Sequence, residues 1–146
     1  MNLSKKDERP LGVYLVTLYF VLSGFLEAIH KYREWGSAFI WNPLAEHSIW
    51  HIAADVTIYL AIAYMVWHLT WLGRLAGLVF GYLYLSTWLW FLVLYARGTA
   101  MNTTTLHLIL AGYHILALPF LLYYLQTEPR KKLFRQSLLE ILLPHD

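Results

Sequence analysis

The sequence contains no cysteine. That absence removes disulfides, thiolate-bound zinc, iron–sulfur clusters, covalent c-type haem attachment and thiol redox from the chain's own chemistry. Any metal must be held by nitrogen and oxygen. Charge is scarce too: 11 Lys and Arg and 9 Asp and Glu make up 14% of 146 residues, for a net charge of +2. No dense basic run with interleaved aromatics marks a nucleic-acid face, so no nucleic-acid partner is expected. Internal repeats, low-complexity tracts and dividing linkers are also missing, which leaves residues 1–146 as one membrane domain.

What is abundant is apolar surface. Hydrophobic residues make up 59% of the chain and the mean hydropathy is +0.48, too high for an ordinary soluble domain of this length. A bilayer is the natural solvent. Seven Trp and eleven Tyr agree, since amphipathic rings favour the membrane–water boundary. Four stretches approach the roughly 20 apolar residues that a spanning helix needs: 11–29, 48–67, 75–96 and 106–125. The expected fold is therefore an all-α integral membrane protein, a four-transmembrane-helix bundle.

A tight turn around Leu72-Gly73-Arg74 is expected to make the second and third spans an antiparallel hairpin, and Gly77 and Gly81 on the third to permit close helix approach. The connection from His30 to His47, with Trp35, Gly36, Trp41 and Asn42-Pro43, reads as an interfacial loop. Lys5, Lys6, Arg9, Arg74, Arg130, Lys131, Lys132 and Arg135 fall on one side of the membrane, against Lys31, Arg33 and Arg97 on the other. This asymmetry places both termini in the cytoplasm. The polar start, Met1 to Arg9, followed by an apolar segment with no cleavage pattern, reads as a retained anchor. Residues 126–146 form a cytoplasmic tail whose segment after Glu128-Pro129 can fold as a short amphipathic helix, lying on the inner leaflet or packed on a partner.

Function is sought where ionisable residues enter the spans, because a charge in hydrocarbon is costly and needs a partner or water. Glu27 and Asp55 are the two acids inside them. The topology gathers Glu27, His30, His47, His51, Asp55, His107 and His114 into the outer half of the membrane. His47, His51 and Asp55 form a stripe at intervals of four, His107 and His114 share a face, and Glu27 and His30 make an E-x-x-H pair.

Two cofactor readings follow. A divalent transition metal would take His51, Asp55, His107, His114 and Glu27 as ligands. A b-type haem would sit between His51 and His114, or His51 and His107, on facing second and fourth helices. The mixed carboxylate–histidine set puts metal ahead of haem. His30 and His47, near the interface, read as solvated, and His68 lies outside the cluster. The plainest alternative is an Asp55–histidine hydrogen bond that locks two helices without any cofactor.

The third span carries Tyr82, Tyr84, Trp88, Trp90, Phe91 and Tyr95, spread too widely for one helix face, so ordinary packing and anchoring is the expected use. Pro119 is expected to bend the fourth span. Asn102-Thr103-Thr104 has the form of a glycosylation sequon, incidental in a bacterium.

The opening RPLGVYLVTLYFVLSG, Arg9 to Gly24, resembles the start of small bacterial multi-span membrane proteins in which an RPLGV-like phrase precedes the first helix. The resemblance ends with that helix. It implies the bacterial inner (cytoplasmic) membrane and carries over no activity or site residue.

Two function classes stand. In one, the chain is a metal- or haem-binding protein for redox or metal handling. In the other, it is a noncatalytic accessory subunit of a respiratory or photosynthetic assembly, packing on lipids, other membrane subunits or a second copy, with histidines that can ligate bacteriochlorophyll. A transporter fits less well, since no paired broken helices mark a midplane site.

Overall fold

A computed structural model describes residues 10–35, 48–99, 105–127 and 134, and the side chains of all but 34 and 35 among them. Its elements are α1 (Leu11–Trp35), α2 (Ile49–Trp67), α3 (Trp71–Ala96) and α4 (Thr105–Gln126). Each is long and apolar enough to cross a membrane. The amphipathic tail and His47 lie outside the described residues. Phe134 alone is described beyond 127, and it is buried in the main core cluster.

α1 starts at Pro10, whose carbonyl accepts from the Val13 amide at 2.8 Å. Proline suits this position because the first helical amides have no partner within the helix. α1 then runs six residues past the expected end, through Lys31 and Arg33 to Trp35. Hydropathy marks where the hydrocarbon ends, whereas backbone hydrogen bonding carries the helix on toward water.

The hairpin turn is displaced from its expected place. It occupies His68–Thr70, and Leu72, Gly73 and Arg74 already belong to the first turn of α3. Leu69 takes φ of +55°, an uncommon conformation for a non-glycine residue. Thr70 stabilises the exit: its Oγ1 accepts from the Gly73 amide at 2.9 Å and donates to the Met65 carbonyl at 2.9 Å. This is N-capping combined with closure of the preceding helix end. Gly73 is required here because a Cβ would stand 2.5 Å from the Met65 carbonyl carbon.

Neighbouring helices are antiparallel, as cross-contacts show by running in opposite order. Tyr14 meets Trp67 and Lys31 meets Asp55 between α1 and α2. Between α3 and α4, a Cβ at Gly77 or Gly81 would stand 2.9 Å from Leu125 or Leu122, respectively, and Phe91 stacks on His107. The two glycines thus let α4 lie close along α3. α1 and α4 close the bundle. Helix pairing is most extensive for α1 with α2 and for α3 with α4.

Two apolar clusters divide the interior. Near the hairpin turn, Val13, Val16, Phe20, Ile62, Val66, Leu118, Leu121 and Leu125 form the larger. Near the opposite, distal end, Trp88, Leu110 and Ala111 form the smaller. Burying branched and aromatic side chains is favourable between helices chiefly through close packing, since lipid is as apolar as they are. The polar residues of interest lie along the distal part of the bundle.

Candidate functional site in the seam between α1 and α4

His114 is wholly buried although it lies in a helix of an apolar bundle. Tyr19 of α1 shares a hydrogen bond of 2.8 Å between its hydroxyl and His114 Nδ1. On the other edge of the ring, Nε2 faces Glu27 Oε1 at 3.6 Å, and Glu27 is itself only 9% exposed. That gap exceeds an ordinary N–H···O distance, and Nε2 has no hydrogen-bond partner.

The imidazole plane is set by α3. Trp88 stacks on His114 with centroids 5.2 Å apart and planes 17° from parallel, and Tyr84 lies 5.5 Å away at 57°. A ring held flat against α3 presents its nitrogen-bearing edges toward α1. Tyr113 flanks the site from α4, and its hydroxyl approaches Ser23 Oγ at 3.4 Å and the Tyr19 carbonyl at 3.3 Å. An orphaned polar atom in such surroundings costs about 1–3 kcal/mol.

Toward the distal end the arrangement repeats. His30 of α1 and His107 of α4 meet edge to face with centroids 4.5 Å apart, both half-buried. Phe91 stacks on His107 at 6.1 Å and 18°, as Trp88 does on His114. Trp88 and Phe91 touch each other, and Phe91 stacks on Tyr95. The seam therefore carries two cross-helix pairs, Glu27/His114 within and His30/His107 beyond, backed by an aromatic ladder from α3.

Of the residues expected at the site, Glu27, His107 and His114 lie along this seam. His51 and Asp55 do not. His51 is exposed on the first turn of α2, and Asp55 pairs with Lys31 of α1. The acceptor role expected of Asp55 toward a histidine is thus directed to a lysine instead. The second and fourth helices are not brought together around His51 and His114: α2 packs between α1 and α3, while His114 is enclosed by α1, α3 and its own neighbour Tyr113. Among the described residues, no three His, Asp or Glu groups converge tightly enough to hold a metal between them.

Sequence reasoning overlooked Tyr19, the His30/His107 contact, Lys31 and the ladder. A signal for the ladder existed: Tyr84, Trp88, Phe91 and Tyr95 follow spacings of four, three and four, one face of a helix. Tyr82 and Trp90 of the same span are exposed. Comparison with family models, curated proteins and solved structures gives no match to this chain.

Proposed function

We propose that this chain is a divalent-metal-handling protein of the bacterial inner membrane, with its termini in the cytoplasm and its seam opening to the outer side. The observation that carries the reading is the 3.6 Å separation of Glu27 Oε1 and His114 Nε2. Two nitrogen or oxygen ligands about 2.0–2.2 Å from a tetrahedral metal stand about 3.3–3.6 Å apart. Cis ligands of an octahedral Mg²⁺, at about 2.0–2.1 Å, stand closer, at about 2.9 Å. The spacing falls in the tetrahedral range and outside the octahedral one; it is also that of a loose Glu27–His114 ion pair, and metal content separates the two.

Glu27 offers a carboxyl oxygen and His114 an imidazole nitrogen, the donor types that first-row divalent ions accept. Tyr19 at Nδ1 takes the orienting role that a partner on the second ring nitrogen plays in metal sites. Glu27 and His114 are two of the donors that such an ion takes, and because His114 is wholly buried the reading requires the seam to open before solvent supplies the others. The b-type haem reading loses ground, because His51 is exposed rather than turned toward His114.

A test is elemental analysis with an absorption spectrum of protein purified in mild detergent without chelator. The reading predicts near-stoichiometric zinc, cobalt or a neighbouring ion and no Soret band, with metal lost in both Glu27→Gln and His114→Gln. A metal-free wild type, or a haem or bacteriochlorophyll spectrum, rejects it.

A second reading, the accessory subunit, is favoured by α3. It is the least enclosed of the four helices, with Leu75, Val79, Tyr82, Leu83 and Trp90 exposed along it. Co-purification of a stoichiometric membrane partner through that face, without metal, would favour it over the first.

A further inference from the structure

On the outer surface of the bundle, α1 and α4 leave a recess of about 230 Å³ between them. Val16, Tyr19 and Leu121 of its lining are buried, while Leu15, Leu18, Leu22 and Phe120 stand exposed around its rim. The lining is apolar throughout. The Tyr19 hydroxyl is turned to His114 Nδ1 and the Tyr113 hydroxyl to Ser23 and the Tyr19 carbonyl, so both residues give the recess ring carbons only. Their rings stack 5.5 Å apart at 17°, and both touch His114 on the inner side.

Position and size decide what fits. Leu15 lies four residues beyond Leu11 and Leu22 eleven, about 6 Å and 16 Å along the helix. The recess therefore runs through the half of a roughly 30 Å hydrocarbon core nearer the hairpin turn, as far as its middle. A polar head group or ring carbonyl placed there would give up its hydrogen bonds with nothing in return. A helix of a second copy, about 10–12 Å across with its side chains, is too wide to enter. A hydrocarbon chain, one methylene wide, enters readily, and the bilayer supplies such chains at this depth. Apolar burial alone gains little in lipid, but a concave wall gives a chain contacts on several sides instead of one.

We propose that this recess holds one acyl chain of a bilayer phospholipid, entering from the leaflet on the hairpin-turn side and ending against Tyr19 and Tyr113. The acyl chain completes the closure of α1 on α4, which pair less extensively than α1 with α2, and keeps the two stacked tyrosines against His114. No ligand atom lines the recess, so its occupancy is independent of the metal reading.

The test reconstitutes the full chain in phosphatidylcholine vesicles doped with a phosphatidylcholine that carries a photoreactive diazirine midway along one acyl chain. Labelled residues are mapped by peptide mass spectrometry, and thermal melts monitor folding. Leu116, exposed outside the recess and ten residues before Gln126, stands at about the depth of Leu22 and reports ordinary lipid contact. Labelling of Leu22 is expected to exceed that of Leu116 about tenfold, the worth of roughly ten extra carbon–carbon contacts. Ala117→Phe fills the recess from α4 and should remove the excess, whereas Leu116→Phe should leave it intact. Leu18→Ala lowers an exposed wall without touching the core, so it should reduce the excess at Leu22 several-fold even if Ala117→Phe fails to fold. Equal labelling of Leu22 and Leu116, or an undiminished excess in folded Ala117→Phe or Leu18→Ala, overturns the proposal. Crosslinking of a second copy through Leu15, Leu18 and Leu22 overturns it too, as does extraction of a stoichiometric prenyl-tailed quinone in place of phospholipid from the purified protein.

Discussion

His114 is the residue on which the seam turns, because three helices specify its position. Tyr19 holds Nδ1, Trp88 fixes the ring plane and Glu27 faces Nε2. Tyr19→Phe removes one buried hydrogen bond, and a loss of about 1 kcal/mol is expected in chemical denaturation. The same variant should bind Zn²⁺ about tenfold more weakly, since losing a group that orients a metal ligand commonly costs this much. Unchanged affinity would show that Tyr19 serves packing only.

Lys31 and Asp55 call for a different prediction, because both are partly exposed and solvent weakens their attraction. Asp55→Leu removes the α2 carboxylate that faces Lys31, and up to about 1 kcal/mol of destabilisation is expected. Combining it with Lys31→Met should recover most of that loss, with metal content unaltered in both. A double variant as unstable as the single one, or one lacking metal, would contradict the assignment of this pair to a structural α1–α2 contact.

At the scale of elements, the turn at His68–Thr70 depends on two residues that tolerate little change. Thr70→Ala should cost about 1 kcal/mol by removing the cap of α3. Gly73→Ala should cost about 1–3 kcal/mol, because its methyl would meet Met65 backbone that cannot rotate away. Equal melting of Gly73→Ala and wild type would show that the two helices separate freely there.

The four spans were legible because hydrophobic length is a property of the sequence itself. The turn was misplaced because Gly73 and Arg74 resemble loop residues, whereas the break is made by Leu69, whose positive φ no sequence rule announces. The rotation of α2 was likewise hidden. Residues four apart drift by about 40° around a helix, and burial of Tyr59, Ile62, Ala63 and Val66 fixes that rotation. Asp55 then lies near the edge of the packed face and His51 beyond it. Glu27 was expected near the end of the first span, but its facing of His114 depends on how α4 settles along the α3 glycines, a tertiary fact.

For the whole molecule, the two ends of the bundle differ in chemistry. One end is packed with aliphatic and aromatic side chains beside a capped turn, and the other carries imidazoles, a carboxyl group and the Lys31–Asp55 pair. The cysteine-free sequence makes the orientation simple to measure. Cysteines introduced singly at Ser37 and Thr103 should react with an impermeant maleimide on intact cells. Reaction only after the inner face is opened would reverse the proposed orientation and place the histidines in contact with the cytoplasm.

X-ray absorption at the zinc edge tests the proposed metal ion between α1 and α4 most directly. Zinc-loaded wild type is predicted to show nitrogen and oxygen neighbours at about 2.0–2.2 Å with imidazole outer-shell scattering, and that imidazole contribution should fall in His114→Gln. A zinc spectrum with the same imidazole contribution in both wild type and His114→Gln would contradict it.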